Sequence, residues 1–288
     1  MVHLMLLAHV VADYVIQDKK TVLLKGSKRI GHGIHLLEHG IPTILAALIF
    51  YNLSWQLTVQ IILLLTAHYT IDRFKCMNNQ IHVCQLEWDS KIIWRIKKVF
   101  LTVIKSTYRR PLKFKEPLVH IFDQVIHITS IIIICGLFDN GLNAIGQSTM
   151  GVFQQFGYSL DMLKDMIVII IGGIYATFGG MYTIPQIFRE IDPNGILKKD
   201  NHETSTTENE KLEHDLELGK YIGFFERFLL YVLIISKQYS AAGVVIAVKS
   251  LARFNQLSDK TFAEYYLVGT LLSISIVVIF AGIVTFLI

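Results

Sequence analysis

Apolar runs long enough to cross a bilayer recur along this chain, and they leave few ways for it to fold. The stretches around Ile131–Cys135, Met166–Ile171 and Leu271–Ile288 are almost free of charge. About 20 such residues carry a helix through the hydrocarbon core. The charged fraction confirms the pattern, being 17% where a soluble domain carries about 25%. The expected fold is therefore an all-α integral membrane protein, a polytopic helical bundle of about eight membrane segments. We place them at roughly 1–17, 32–51, 55–73, 117–138, 165–184, 221–236, 239–253 and 264–288. The sixth and seventh are shorter than a span needs, and are either tilted or form a buried hairpin.

Basic residues set the orientation. Segment 18–31 holds Lys19, Lys20, Lys25, Lys28 and Arg29, and segment 74–116 holds a larger set from Lys75 to Lys115. Segment 185–220 adds Arg189, Lys198, Lys199, Lys211 and Lys220, and Lys260 follows after two further segments. The intervening loops, 52–54 and 139–164, contain only Lys164. All basic loops thus fall on one side, the cytoplasm, with both termini outside a plasma membrane. The N-terminus lacks a basic leader and a small-residue cleavage site, so it is expected to stay as the first helix.

The organisation follows. Residues 1–138 form a four-helix membrane domain, 139–191 an external loop and a fifth membrane helix, 192–218 a polar cytoplasmic linker, and 219–288 the C-terminal membrane helices. Within the first, Lys91, Arg95, Lys98, Thr102, Lys105 and Arg109 make one helical stripe among Ile and Val, with Trp94 as an interfacial anchor. This is the pattern of an amphipathic helix on the cytoplasmic surface, held by the bilayer and its anionic headgroups. The abundant aliphatics favour lipid, and no nucleic-acid partner is expected. Cys76, Cys84 and Cys135 give an odd count with no metal-hook spacing, as thiols in a reducing compartment do.

The chemistry lies in the first four segments. They read His9-x-x-x-Asp13-x-x-x-Gln17, His35-x-x-x-His39, His68-x-x-x-Asp72 and Asp123-Gln124-x-x-His127. Steps of three and four put each set on one helical face. Counted from the cytoplasmic ends at 1.5 Å per residue, His9, His39 and His68 lie roughly 10–12 Å deep and His127 about 15 Å. Asp13, His35 and Asp72 lie roughly 5–6 Å deep and Asp123 about 9 Å. A deeper His layer thus sits above a shallower, mostly Asp layer. A single His–Asp pair would be an interhelical hydrogen bond. Four helices at matching depth point instead to a metal site in the bundle core. Imidazole with carboxylate suits zinc, manganese or iron, and the donors exceed what one ion needs, so one or two divalent ions are expected. The ligand set is His9, Asp13, His35, His39, His68, Asp72, Asp123 and His127.

Gln17, Lys25, Lys75 and Gln124 are placed as substrate-binding or ligand-orienting groups. In the C-terminal part, Glu226, Arg227, Lys249 and Arg253 form either an ion-pair latch between two short helices or a basic pocket for a phosphate. No nucleotide-binding loop, nucleophile elbow or HExxH motif is present.

The string AHVVADYVIQDKK, then Lys25 and His35, then HYTIDRFK and FDQVIH, resembles the bacterial membrane family catalogued as domain of unknown function 3307. The resemblance covers about residues 1–138 and extends to longer members through GKYIGFFER, AVKSLARF and EYYLVGTLLS. It implies no particular activity. From the residues, the expected function is a metal-dependent hydrolase acting on a lipid or phosphate-containing substrate at the cytoplasmic leaflet. The alternatives are an ion- or proton-coupled transporter and a non-enzymatic membrane regulator. The almost wholly apolar outer halves of helices two to four speak for a one-sided site rather than a through-pathway.

Overall fold

The structure, a computed structural model, describes residues 1–17, 29–79, 115–138, 140–191 and 206–288. Side chains at 29–30, 76–79, 115–116 and 206–218 lie outside that description. So do Lys25, the basic stripe of 91–109 and the thiols of Cys76 and Cys84. Everything regular among the described residues is helical.

The first helix, α1 (Val2–Val11), passes without a break into a π-helical turn, Ala12–Ile16. Then come α2 (Arg29–Phe50), α3 (Trp55–Asn79) and α4 (Lys115–Gly136). A short helix α5 (Ala144–Gln155) follows, capped by Asn143, which accepts from the Gly146 amide. It occupies the stretch expected to be an external loop. Next is one 32-residue helical rod, Leu160–Ile191, made of α6 (Leu160–Ile174), a π-helical turn (Tyr175–Gly179) and α7 (Gly180–Ile191). It extends beyond the expected 165–184 at both ends. The chain closes with α8 (Thr206–Ile235), α9 (Tyr239–Ala252) and α10 (Lys260–Leu287).

One of these helices departs instructively from the sequence pattern. The end of the expected polar linker is helical from Thr206. Its Glu, Lys and Leu residues are strong helix formers, and polarity alone does not prevent a helix. Between α8 and α9 the chain reverses in a tight turn at Ser236–Gln238, with Lys237 at φ 59°.

Among the described residues, four helical stretches are long and apolar enough to cross a membrane: Gly31–Phe50, Pro117–Gly136, Leu160–Ile191 and Lys260–Leu287, the last with a mean hydropathy of 2.7. Val2–Ile16 and Tyr239–Ala252 are apolar but shorter. Helix α3 has the length, at 25 residues, but carries Gln60, His68, Asp72, Arg73 and Lys75. Large apolar side chains cover the outside of the molecule, among them Leu37, Leu45, Ile62, Ile133, Phe225 and Ile279. An apolar exterior around buried polar groups is the arrangement lipid requires.

Helices α1 to α4 form a closed ring, each packed on the next and α4 back on α1. One end is sealed by an apolar cluster of Met5, Ala47, Tyr51, Leu57, Leu64, Ile131 and Cys135. The loop after α4 ties this end down. Asn143 donates to the carbonyls of Leu48 and Tyr51, and Asn140 donates to Gln60, which is fully buried. The other end of the ring holds the polar residues.

The C-terminal helices pack around α8 and α10, with a core of Ala176, Leu230, Tyr231, Ala242, Val277 and Ala281. The approach is close at Gly172, where a Cβ would meet Val284 Cγ2 and the Tyr231 hydroxyl. The rod α6–α7 joins the two groups, since α6 packs on α1 and α7 on α4.

Candidate metal centre

The helical phases read from the sequence bring all eight proposed ligands into one cluster. His9 and Asp13 come from α1 and its π-helical turn, His35 and His39 from α2, His68 and Asp72 from α3, Asp123 and His127 from α4. His127 is 1% exposed, and every His of the set is less than 7% exposed.

The two layers are recognisable. In the deeper one, His39 and His68 stack with ring centroids 3.7 Å apart, His68 and His127 lie 4.4 Å apart, and His9 lies 5.0–5.4 Å from His39, His68 and His127. In the shallower one, His35 Nε2 lies 3.1 Å from Asp72 Oδ2 and 3.5 Å from Asp13 Oδ1. Contacts between the layers complete the cluster. His39 Nε2 reaches Asp13 Oδ1 at 2.9 Å, and His9 reaches Asp13 at 3.6 Å. His68 reaches Asp72 at 3.7 Å, and His127 reaches Asp72 at 3.6 Å and Asp123 at 3.7 Å.

Several of these separations are those of ligands on a shared ion. His68 Nε2 is 3.1 Å from His35 Nε2, and His68 Nδ1 is 3.2 Å from His127 Nδ1. Two nitrogens bound tetrahedrally at roughly 2.0–2.1 Å from one ion stand about 3.3 Å apart. Neutral imidazoles share a proton across the same gap. The remaining nitrogens add to the case for an ion. Nε2 of His9 and Nε2 of His127 are buried with no hydrogen-bond partner, a costly state for a polar atom that an ion would relieve. Among the described residues, three groups have donor atoms within 4.8 Å of one another: Asp13–His35–His39–His68, His9–His68–His127 and Asp72–Asp123–His127. These donor sets can hold a metal ion.

The expected supporting residues divide by position. Gln17 Nε2 lies 3.0 Å from His35 Nδ1, and Gln124 Nε2 donates to Asp13 Oδ2 at 2.9 Å. Lys75 donates to Asp123 Oδ2 at 2.6 Å, its own side chain 31% exposed. These three attach directly to the cluster. Glu226 and Lys249 instead pair with each other at 2.5 Å, which is the latch between α8 and α9. Arg227 donates to the Thr177 carbonyl at 3.2 Å, tucked against Gly180, where a Cβ would collide with its guanidinium stem. Arg253 donates to Gln256 and lies over the Phe262 ring.

Other residues of the site escaped the sequence pattern. Glu38 Oε2 sits 3.1 Å from His35 Nδ1, at an i,i+3 spacing that could have revealed it. Tyr14 and His120 share a 3.0 Å hydrogen bond. His32 is 4% exposed and packs edge-on against Tyr69. Tyr175 donates to Gln124 Oε1 at 3.0 Å. It lies in an apolar run, and only tertiary packing connects it to the cluster.

The family model described as "Protein of unknown function (DUF3307)" matches residues 1–155. The chain belongs to this family. The matched region runs from α1 to the end of α5 and contains all eight His and Asp donors, whereas the rod α6–α7 and α8 to α10 lie beyond it. No curated protein and no solved structure matches the chain.

Proposed function

We propose that this chain is a membrane-embedded, metal-dependent hydrolase that acts from one face of the bilayer on a phosphate-containing substrate, lipid or soluble. The observation that carries it is the convergence of five His and three Asp from four helices at one end of a bundle whose other end is closed by an apolar cluster. A transporter needs polar groups through the full depth. Here Met5, Leu57, Leu64 and Ile131 close the bundle beyond the deeper His layer, which favours a site entered and left from the same side. Buried ionisable groups in a membrane segment cost about 2.5–3.5 kcal/mol each unless partners or a bound ion offset it, which is why they mark functional sites.

In this proposal the eight-segment topology holds, with both termini outside a plasma membrane and the metal centre near the cytoplasmic leaflet. The basic stripe of 91–109 rests on the anionic headgroups of that leaflet. An ion held by these donors would supply Lewis acidity and an activated water for phosphoryl hydrolysis. Asp13 and Asp72 join the His rings as carboxylate ligands. Lys75 is both bound to Asp123 and partly exposed, which suits a cation that receives a substrate phosphate.

The test uses protein purified in detergent and loaded with zinc or manganese, assayed for phosphate release from short-chain phosphatidic acid and p-nitrophenyl phosphate. The expected result is turnover that a chelator abolishes, and that Lys75→Met reduces at least about tenfold with metal content retained, as for a lost charged contact of roughly 1.5–3 kcal/mol. Metal-loaded protein that turns over neither compound would overturn the hydrolase assignment and leave the metal centre standing.

A further inference from the structure

The donors of the metal centre all lie in the family-matched part of the chain, but one of them is held from outside it. Asp13 sits in the π-helical turn Ala12–Ile16, a local widening of the helix that re-aims its side chain. Each of its carboxylate oxygens is engaged. Oδ1 faces His39 Nε2, and Oδ2 accepts from Gln124 Nε2 at 2.9 Å. The other end of the Gln124 carboxamide accepts from the Tyr175 hydroxyl at 3.0 Å, in a buried contact. Tyr175 opens the second π-helical turn, Tyr175–Gly179. Its ring stacks on Phe280 of α10 with planes 6° apart, and Tyr14 packs edge-on against it. The same π-helical turn is gripped from α8, where Arg227 donates to the Thr177 carbonyl.

The chemistry of the relay is directional. A carboxamide has one accepting and one donating end. With a phenol donating to its oxygen, Gln124 must present its NH2 to Asp13. Without that hydroxyl the amide oxygen loses its buried donor, and only the bond to Asp13 is left to hold the carboxamide.

We propose that Tyr175 is a positioning residue for the metal centre. Through Gln124 it holds Asp13 in its ligating orientation, so the C-terminal half of the chain sets the affinity of a site whose donors all lie in the N-terminal half. This rests on the metal-centre assignment above. It extends that assignment by making metal affinity depend on the packing of α6, α8 and α10.

The test compares Tyr175→Phe with Tyr231→Phe. Both keep the ring and remove one buried hydroxyl, but Tyr231 donates to the Ile169 carbonyl, away from the donors. Full-length protein is titrated with cobalt(II), whose visible absorption reports ligand geometry, and thermal stability is measured alongside. Tyr175→Phe is expected to weaken cobalt binding about tenfold, the lower end of the range for loss of a ligand's outer partner because it acts through Gln124, and to alter the absorption bands. Tyr231→Phe should lose comparable stability with affinity and spectrum unchanged. Wild-type affinity in Tyr175→Phe, or an equal loss in both variants, would overturn the positioning role. Wild-type protein that binds no cobalt would instead overturn the metal centre itself, and the proposal with it.

Discussion

Replacing Asp13 with alanine should destabilise the metal-free protein more than replacing Asp123 does. Asp13 is the acceptor for two buried donors, His39 Nε2 at 2.9 Å and Gln124 Nε2 at 2.9 Å. Asp13→Ala leaves both without a partner in a space closed by helices, at about 1–3 kcal/mol each, or about 2–6 kcal/mol together. Asp123 accepts from Lys75 at 2.6 Å, but that ammonium is 31% exposed and can turn to water. The His127 contact at 3.7 Å is too long for a hydrogen bond. Asp123→Ala should therefore cost about 1 kcal/mol, the scale of a partly exposed pair. The assay is thermal unfolding in detergent with chelator, followed by circular dichroism and by a hydrophobic-dye signal. Added metal should then raise the midpoint of wild type more than that of either variant, because both have lost a ligand. Equal destabilisation by the two substitutions in chelator, or a larger one from Asp123→Ala, would refute the hydrogen-bond reasoning.

Leu57→Ala, at the sealed end, should lower stability by about 2–5 kcal/mol because the side chain is 1% exposed, with metal stoichiometry unchanged in protein that remains folded. Loss of metal from such protein would show that the closed end and the donor cluster are one unit. Changing Lys91, Arg95 and Lys98 together to Glu should weaken binding to anionic vesicles by about 1 kcal/mol for each basic residue removed. Flotation with vesicles measures this, and unchanged flotation would rule out a headgroup-bound stripe.

Much of the site was legible because a His or Asp in an apolar helix stands out, and because its spacing gives both face and depth. The steps His9–Asp13, His35–His39, His68–Asp72 and Asp123–His127 placed eight side chains where the structure has them. Their order along alternating helices also foretold the His layer and the Asp layer. Tyr175 was not legible, because a tyrosine in an apolar run has no polar phase to betray its target. Nor were the two π-helical turns, which add a residue to the helical period and shift every later side chain. The helix at Ala144–Gln155 was hidden by glycine and glutamine content. It is placed by Asn143, which caps it while also binding the end of α2. The Glu226–Lys249 latch was one of two options left open by sequence, since charge alone cannot distinguish an internal pair from a ligand pocket.

Elemental analysis of the wild-type protein, expressed with zinc, manganese and iron in the medium and purified without chelator, tests the central claim most directly, with His68→Ala beside it. His68 belongs to two of the three donor groups and touches His35 and His127 through its two ring nitrogens. Wild type should carry one to two equivalents of a divalent metal, as expected for a bundle-core site with this many donors, and His68→Ala should carry markedly less while remaining helical. Folded wild-type protein that holds no metal under these conditions would contradict the account, and would reduce the cluster to a hydrogen-bonded His–Asp network.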